Sequence, residues 1–481
     1  MTRRNWLASL AAPAVLSPQA RRRSIVFVLV DDHRFDCAGA LGHPWLQTPH
    51  LDRLARGGVV FRNAFVTTSL CSPSRASLLT GLYAHAHRVL DNFTPLDPKL
   101  PVFPAMLRAA GYRTGYVGKW HMGGASDEPR PGFDHWLSFF GQGQYENPEL
   151  NRNGRREQAK GYMTDILAEE AVRFVRESAG RPFMLYLSHK ATHYPFVPAA
   201  RHRELYTNTP VPRPDSMNYR DEDYAQRPEW VRRRRYSRQG LDGMYDHAMP
   251  FDDVYRNYCR TLAAVDDSVG TLMAELERQR MLESTVFVYM GDNGLMWGEH
   301  GLIDKRAMYE PSIRVPMILH CPELARPRNE TRMALNLDIA PTFLDAAGVR
   351  PAAPMHGRSL LRMDDAPWRN DFLYEYEWES DYPYTPTLTG LRTQRYSYCQ
   401  TWGQWDLDEL YDLERDPEQM RNLLGGVRLI RQRGRLTEQI PDAALRDQVH
   451  AFQDRMRQIL VETGGDPKRS GRTPPGWKEA L

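Results

Sequence analysis

The sequence predicts an α/β fold: a large, mainly parallel sheet sandwiched by helices, with a smaller C-terminal subdomain built on an antiparallel sheet. Three observations lead there. Unbroken runs of β-branched and apolar residues recur through residues 24–365, as they do in strands buried on both faces. Helical patterns with apolar residues three and four apart lie between them. Beyond about residue 367 the texture changes to short aromatic alternations, which suit antiparallel strands.

In chain order, Ile25–Val30 reads Ile-Val-Phe-Val-Leu-Val and stops at Asp31-Asp32-His33. A helix-like stretch at 104–110 precedes a strand at 112–117, which leads into Gly118-Lys119-Trp120-His121. A strand at 183–187 leads into Ser188-His189-Lys190-Ala191-Thr192-His193, and one at 285–290 into Gly291-Asp292-Asn293-Gly294. Helices are predicted at 164–177 and 254–280, and the four-arginine run 232–235 reads as a solvated loop. Residues 295–305 read as a loop crossing the site, before a last core strand at 315–319 and a capped helix start at 336–342. These elements divide the chain into a catalytic domain at 24–365, an α+β subdomain at 366–466 and a polar tail at 467–481.

The polar clusters carry the chemistry. In a parallel α/β sheet, ligands bind beyond the carboxyl ends of the strands, and each cluster lies at such an end. Asp31 and Asp32, adjacent at the end of a core strand, repel each other unless a cation neutralises them. With Asp292 and Asn293 they offer only oxygen ligands, which select Ca²⁺ or Mg²⁺ over zinc. Seven of the 63 basic residues are lysine, yet Lys119 and Lys305 stand inside polar clusters, where a compact ammonium fits differently from a guanidinium.

Cys71-Ser72-Pro73-Ser74-Arg75, continuing Ala76-Ser77-Leu78-Leu79-Thr80-Gly81, reads as a nucleophile at a helix start, with Pro73 in the first turn and Gly81 as the stop. A helix N-terminus favours an anion beside Cys71. This stretch resembles the signature of the type I sulfatases, formylglycine-dependent members of the alkaline phosphatase superfamily, and the resemblance runs from Asp31-Asp32 to Leu410-Tyr411-Asp412-Leu413. Within that family the chain is most similar to N-acetylglucosamine-6-sulfatase-like carbohydrate sulfatases.

The resemblance implies an alkaline phosphatase-like fold and oxidation of Cys71 to formylglycine (3-oxoalanine) by a formylglycine-generating or sulfatase-maturating enzyme. It places calcium, with magnesium as the alternative, on Asp31, Asp32, Asp292 and Asn293 beside residue 71. Arg75 helps hold the nucleophile. Lys119 and Lys305 contact the sulfate, and His193 and His300 also face the substrate. One hydroxyl of the hydrated aldehyde attacks sulfur while His193 protonates the leaving alcohol; His121 then takes the proton of the second hydroxyl, which expels sulfate. The substrate implied is 6-O-sulfo N-acetylglucosamine or a related sugar, read in part by Tyr374-Glu375-Tyr376-Glu377-Trp378-Glu379. Two alternatives stay open: a phosphonate monoester or phosphodiester hydrolase of the same superfamily, and a non-catalytic protein that binds sulfated glycans.

Composition narrows the class. A chain of 481 residues with 41% hydrophobic content and a net charge of +3 fits a globular enzyme and gives no case for a nucleic-acid partner. The five cysteines lack metal or disulfide spacing, which leaves Cys71 free. Residues 1–23 resemble a twin-arginine export signal, Thr2-Arg3-Arg4-Asn5-Trp6-Leu7 before an apolar run. No stretch is apolar enough to span a membrane. The expectation is a periplasmic or secreted protein, cytoplasmic if unprocessed.

Overall fold

The computed structural model describes residues 22–467 apart from 124–125, 248, 403–406, 428–430, 433–434 and 437–439. The export-signal motif and nearly all of the expected tail lie outside the described residues.

A ten-stranded sheet forms the larger part. Its strands in chain order are Ile25–Val30 (β1), Val59–Phe61 (β2), Arg113–Gly118 (β3), His135–Ser138 (β4), Glu149–Arg152 (β5), Arg155–Gln158 (β6), Phe183–Ser188 (β7), Val286–Gly291 (β8), Met317–His320 (β9) and Arg328–Glu330 (β10). They lie in the order β10-β2-β9-β8-β1-β7-β3-β4-β5-β6. The central strands β8, β1, β7, β3 and β4 are parallel. β9 on one flank and β5 on the other run antiparallel to them, and β6 pairs antiparallel with β5.

The principal helices of this part are Pro49–Arg56 (α1), Cys71–Thr80 (α2), Phe103–Ala109 (α3), Met163–Glu177 (α4), Glu229–Arg235 (α5), Phe251–Arg278 (α6) and Ile339–Ala346 (α7). Side chains alternate across a strand, and β1 feeds two cores accordingly. Val26, Val28 and Val30 pack with α1, α4 and α6; Ile25, Phe27 and Leu29 pack with α2, α3 and α7. With both faces covered, β1 is wholly buried, each large apolar side chain contributing roughly 1.5–3 kcal/mol.

Asp371–Tyr376 (β11), Thr387–Thr393 (β12), Tyr396–Trp402 (β13) and Glu409–Asp412 (β14) form an antiparallel sheet backed by Ala443–Glu462 (α8). Its core is shared with the larger part through Phe65, Leu70, Met308 and Tyr309. The Glu375 N–H donates to the carbonyl of Thr67 at 2.9 Å, so β11 is tied to the chain just ahead of α2.

One expectation changes. The arginine run lies in α5, and although its neighbours reach solvent, Arg234 is buried and donates to the carbonyls of Ile303 and Lys305 at 2.9 and 2.6 Å. A charge run marks a solvated face only when the helix does not turn one of its members inward.

Candidate active site

The helix bearing Cys71 is polar and wholly buried, which requires each hydroxyl to find a partner. Ser72 Oγ donates to the His121 carbonyl at 2.7 Å, Ser74 Oγ accepts from Asn336 Nδ2 at 3.0 Å, and Ser77 Oγ meets His87 Nε2 at 3.0 Å. The Ser72 N–H donates to Asn92 Oδ1 at 3.1 Å. Gly81 ends the helix at φ +70°, a left-handed cap. These bonds set α2 so that its first residue, Cys71, points at the carboxyl ends of β1 and β8.

Around Cys71 Sγ stand Asp31 Oδ1 at 3.4 Å and Lys305 Nζ at 3.1 Å. Lys119 Nζ pairs with Asp31, and Lys305 Nζ with Asp32. Arg75 joins four strand ends: its guanidinium holds Asp292 Oδ2 at 2.8–2.9 Å, the Lys119 carbonyl at 2.7 Å and Ser188 Oγ at 2.6 Å, and lies 3.9 Å from Asp31. Gly118 permits this turn, since a Cβ there would sit 1.8 Å from the Ser188 carbonyl oxygen. Asp32, His121, Asp304 and Arg306 all adopt positive φ, backbone strain of the kind that clusters at functional sites.

Burial dominates the ionisation of the cluster. It pushes the Cys71 thiol far up, with Asp31 adding to the effect, so the unmodified sulfur is a neutral thiol. It pushes Asp292 up to about 7, helped by Asp31 and Asp32 and opposed by Arg75. Asp31 goes the other way: against the burial penalty, Lys119 and then His193, Arg75 and Lys305 hold its carboxyl well below the usual range. Burial, reinforced by Lys119, keeps His121 and His193 neutral.

Ligand atoms of Asp31, Cys71 and Asp292 lie within 4.8 Å of one another. Asn293 Nδ2 donates to Asp32 Oδ1 at 2.7 Å, while its Oδ1 is buried with no donor. A converging set of repelling acids and an orphaned amide oxygen fits a hard cation.

Two family models match the chain: Sulfatase over residues 23–349, and N-sulphoglucosamine sulphohydrolase, C-terminal, over residues 298–445. The chain belongs to the sulfatase family. It is 31% identical to N-acetylglucosamine-6-O-sulfatase of Bacteroides thetaiotaomicron, over 87% of this chain and 86% of that one. It is 29% identical to N-acetylglucosamine-6-sulfatase of Homo sapiens, over 84% and 81%. A solved structure of a protein in complex with its substrate D-glucosamine-2-N,6-O-disulfate superimposes with a TM-score of 0.83 at 28% identity, covering 93% of this chain and all of that one. This sulfatase is thus a sulfuric ester hydrolase with the alkaline phosphatase-like fold.

Not every expected residue joins the cluster. In this sulfatase the His300 ring is buried 4.0 Å from that of Tyr309, its Nδ1 bonded to Tyr219 Oη at 3.0 Å. It borders a crevice of about 590 Å³ shared with Arg34, Glu299, Arg314 and Arg392, whose lining includes neither Cys71 nor Lys119, His193 or Lys305. The segment 374–379 is also set otherwise than a sugar platform would be: Tyr374 and Tyr376 pack into the core behind β11. Its Glu379 is buried and pairs with Arg306 at 2.8 Å, next to Lys305.

Three residues at the site escaped the sequence reading. Lys190 is buried, its Nζ without a hydrogen bond and 4.5 Å from the Tyr145 ring centroid; desolvation, then Lys119, lowers its pKa to about 8. As one of seven lysines in a strand-end cluster, it carried the same signal as Lys119. Gln142, 3.0 Å from His121 Nε2, and Tyr145, whose hydroxyl donates to the His193 carbonyl at 2.8 Å, carried none.

Proposed function

We propose that this enzyme removes sulfate from O-sulfated carbohydrate, with the 6-O-sulfate of a terminal N-acetylglucosamine or related hexosamine as substrate. The observation that carries the reading is a buried, neutral thiol between two strand-end lysines and a set of converging acids. A thiol so far from ionising is a poor nucleophile, which supports its conversion to formylglycine by a maturating enzyme. Formylglycine, when formed, supplies a hydrated aldehyde with two hydroxyls. Asp31, Asp32, Asp292, Asn293 and residue 71 would hold calcium or magnesium, which supplies Lewis-acid polarisation of a sulfate oxygen.

The chain's own groups do the rest. Lys119 and Lys305 offset the sulfate charge, and Arg75 fixes the strand ends that carry them. His193 Nδ1–H donates to the Tyr194 carbonyl at 2.6 Å, which leaves Nε2 to deliver a proton to the departing alcohol. An anion between the lysines would offset the Lys119 charge that adds to burial in holding His193 neutral. His121 takes the proton that accompanies sulfate release. The sugar assignment is supported by the N-acetylglucosamine 6-sulfatases among the relatives and by the glucosamine disulfate bound in the structural neighbour. Export to the periplasm or beyond follows from the N-terminal motif; among the described residues no helix is long and apolar enough to cross a membrane.

The test is peptide mass spectrometry of residue 71 in natively produced protein, with hydrolysis of matched aryl sulfate and aryl phosphate and of 2-O-, 4-O- and 6-O-sulfated hexosamines. Formylglycine with preference for sulfate, and for the 6-O-ester among sugars, is expected. Preference for phosphodiesters or phosphonate monoesters moves the enzyme to the sister activity, and a persistent thiol without turnover leaves a glycan-binding protein.

A further inference from the structure

We infer that Tyr245 positions the general acid: its ring, stacked on that of Tyr194, fixes the Tyr194 carbonyl that takes the His193 Nδ1–H, and so aims Nε2 at the departing alcohol. The inference rests on the proposed sulfatase reading for the role of His193; the contacts themselves do not.

A peptide carbonyl can only accept, so the 2.6 Å contact between His193 Nδ1 and the Tyr194 carbonyl places a hydrogen on Nδ1. The direction of the imidazole then follows the position of that carbonyl. The backbone of His193 is held by hydrogen bonds: its N–H donates to the Lys190 carbonyl at 3.0 Å, and its carbonyl accepts from Tyr145 Oη at 2.8 Å. Tyr194 has no such support. Among the described residues its N–H, carbonyl and hydroxyl make no hydrogen bond besides the one to His193, and the next residue is Pro195, which has no N–H. What holds Tyr194 is its ring. That ring lies parallel to the Tyr245 ring, 3.9 Å between centroids at 12°, and Phe196 meets both edge-on at 5.7 and 6.0 Å. Phe196 in turn packs on Tyr258 and Trp297.

Tyr245 reaches this place at a conformational cost. It has φ +44°, and Asp246 and His247 follow at +63° and +57°, three consecutive left-handed residues without a glycine. Such strain persists only where the surroundings over-determine it. Here the Tyr245 N–H donates to the Arg238 carbonyl at 3.0 Å, and the Asp246 carboxylate pairs with the Arg238 guanidinium at 3.2 Å. The same loop is sewn to the segment that runs into Lys305: the Leu241 N–H donates to the Gly301 carbonyl at 2.9 Å and the Ile303 N–H to the Gln239 carbonyl at 3.1 Å. One frame therefore carries the ring that backs His193 and the approach to Lys305. Tyr245 Oη makes no hydrogen bond among the described residues, so the face of the ring carries the role. Tyr245 is a positioning residue.

The kinetic arm of the test uses aryl sulfates that differ in the acidity of the phenol and contain no sugar, so lost sugar contacts do not register. Tyr245→Leu is expected to lower kcat/KM for 4-methoxyphenyl sulfate about tenfold or more and for 4-nitrophenyl sulfate by less than about threefold, because only the poorer leaving group needs the proton. Tyr245→Phe, which keeps the ring face, should stay within about twofold of the parent on both. Added to His193→Ala, Tyr245→Leu should cost less than about twofold, since the group it aims is gone. Equal slowing of both esters, a loss in Tyr245→Phe as large as in Tyr245→Leu, or an undiminished effect in the His193→Ala background overturns the inference. Tyr194→Leu breaks the same stack from the other ring; it is expected to copy Tyr245→Leu, and it decides if that variant does not fold. The spectroscopic arm needs no turnover. In ¹⁵N-histidine-labelled protein with unmodified Cys71, a slowly exchanging His193 Nδ1–H, assigned by its loss in His193→Asn, is expected in the parent and in Tyr245→Phe and is expected to be lost to water exchange in Tyr245→Leu. Its absence from the parent, or its persistence unchanged in Tyr245→Leu, overturns the inference. A mature parent that hydrolyses no sulfate ester sinks the functional reading instead, and the spectra then decide the positioning by themselves.

Discussion

At residue 71, burial opposes the chemistry of the side chain that is encoded, since Sγ is fully enclosed and protonated between Asp31 and Lys305. Cys71→Ala should abolish turnover and shift the melting temperature by no more than about 3 °C, because a small side chain is lost from a site held by other bonds. Retained activity in a purified preparation would remove Cys71 as the nucleophile. The histidines separate by leaving group. His193→Ala is expected to slow sulfate esters of sugar alcohols by about a hundredfold or more and esters of acidic phenols far less, since a good leaving group hardly needs a proton. Comparing kcat/KM for the two substrates checks it, and equal slowing would rule His193 out as the acid. At this scale the sequence revealed what had position as well as type. Asp31, Lys119 and Asp292 stood directly after core strands and His193 in the cluster that follows one, whereas Gln142 and Tyr145 lie in a loop whose spacing carries no pattern.

Among elements, the buried strands were legible because short apolar runs that stop at polar, glycine-containing clusters suit strands covered on both faces: the expected 183–187 and 285–290 are Phe183–Ser188 and Val286–Gly291. The flanking strands β5 and β6 were not, being short and largely polar. β11 was seen as an alternation, but an alternating strand does not announce which face meets a core, and Tyr374 and Tyr376 turned inward. Glu170 shows how α4 is fastened to that flank. Burial would raise its carboxyl, but hydrogen bonds from His135, Arg152 and Arg173 overcome this and hold it at about 2, against an ordinary 4.5. A folded pKa below the unfolded one stabilises the protein above pH 4.5 and ceases to do so as pH falls toward 2. Discounted because Arg152 and Arg173 reach into solvent, the effect is about 2 kcal/mol at neutral pH. Glu170→Gln should lose that stability near neutrality and flatten the acid limb between pH 4.5 and 2. Denaturant titrations across pH test it; an unchanged acid limb would show that the pairs contribute nothing net.

For the molecule as a whole, the cation and the subdomain both act on the same cluster. Acids from β1 and β8 converge on residue 71, so chelation should lower both activity and melting temperature, and calcium or magnesium should restore them; a ligand at a hundred times its Kd contributes about 2.7 kcal/mol. Melting curves with and without chelator decide it, coincident curves removing the metal site. The subdomain acts through Lys305. Its flanking residues Asp304 and Arg306 hold positive φ, a strain of roughly 1–3 kcal/mol each that the surroundings must sustain. Arg234 grips the Lys305 carbonyl from α5, and Arg306 is buried against the Tyr382 ring, 3.4 Å from its centroid, and paired with Glu379 just beyond β11. Breaking a buried pair by removing one partner typically costs about 3–5 kcal/mol, because the other charge is left unpaired. Glu379→Gln, which keeps the shape and removes the charge, should therefore lower kcat/KM by about tenfold or more. The informative substrate is a small aryl sulfate, which engages Lys305 but is too short to reach sugar-reading loops. A loss on the aryl ester equal to that on the sulfated sugar places Glu379 behind Lys305 as a brace. A loss confined to the sugar would mean that Glu379 reads the glycan, and the subdomain's hold on Lys305 would then have to come from Arg234 and Tyr382 alone.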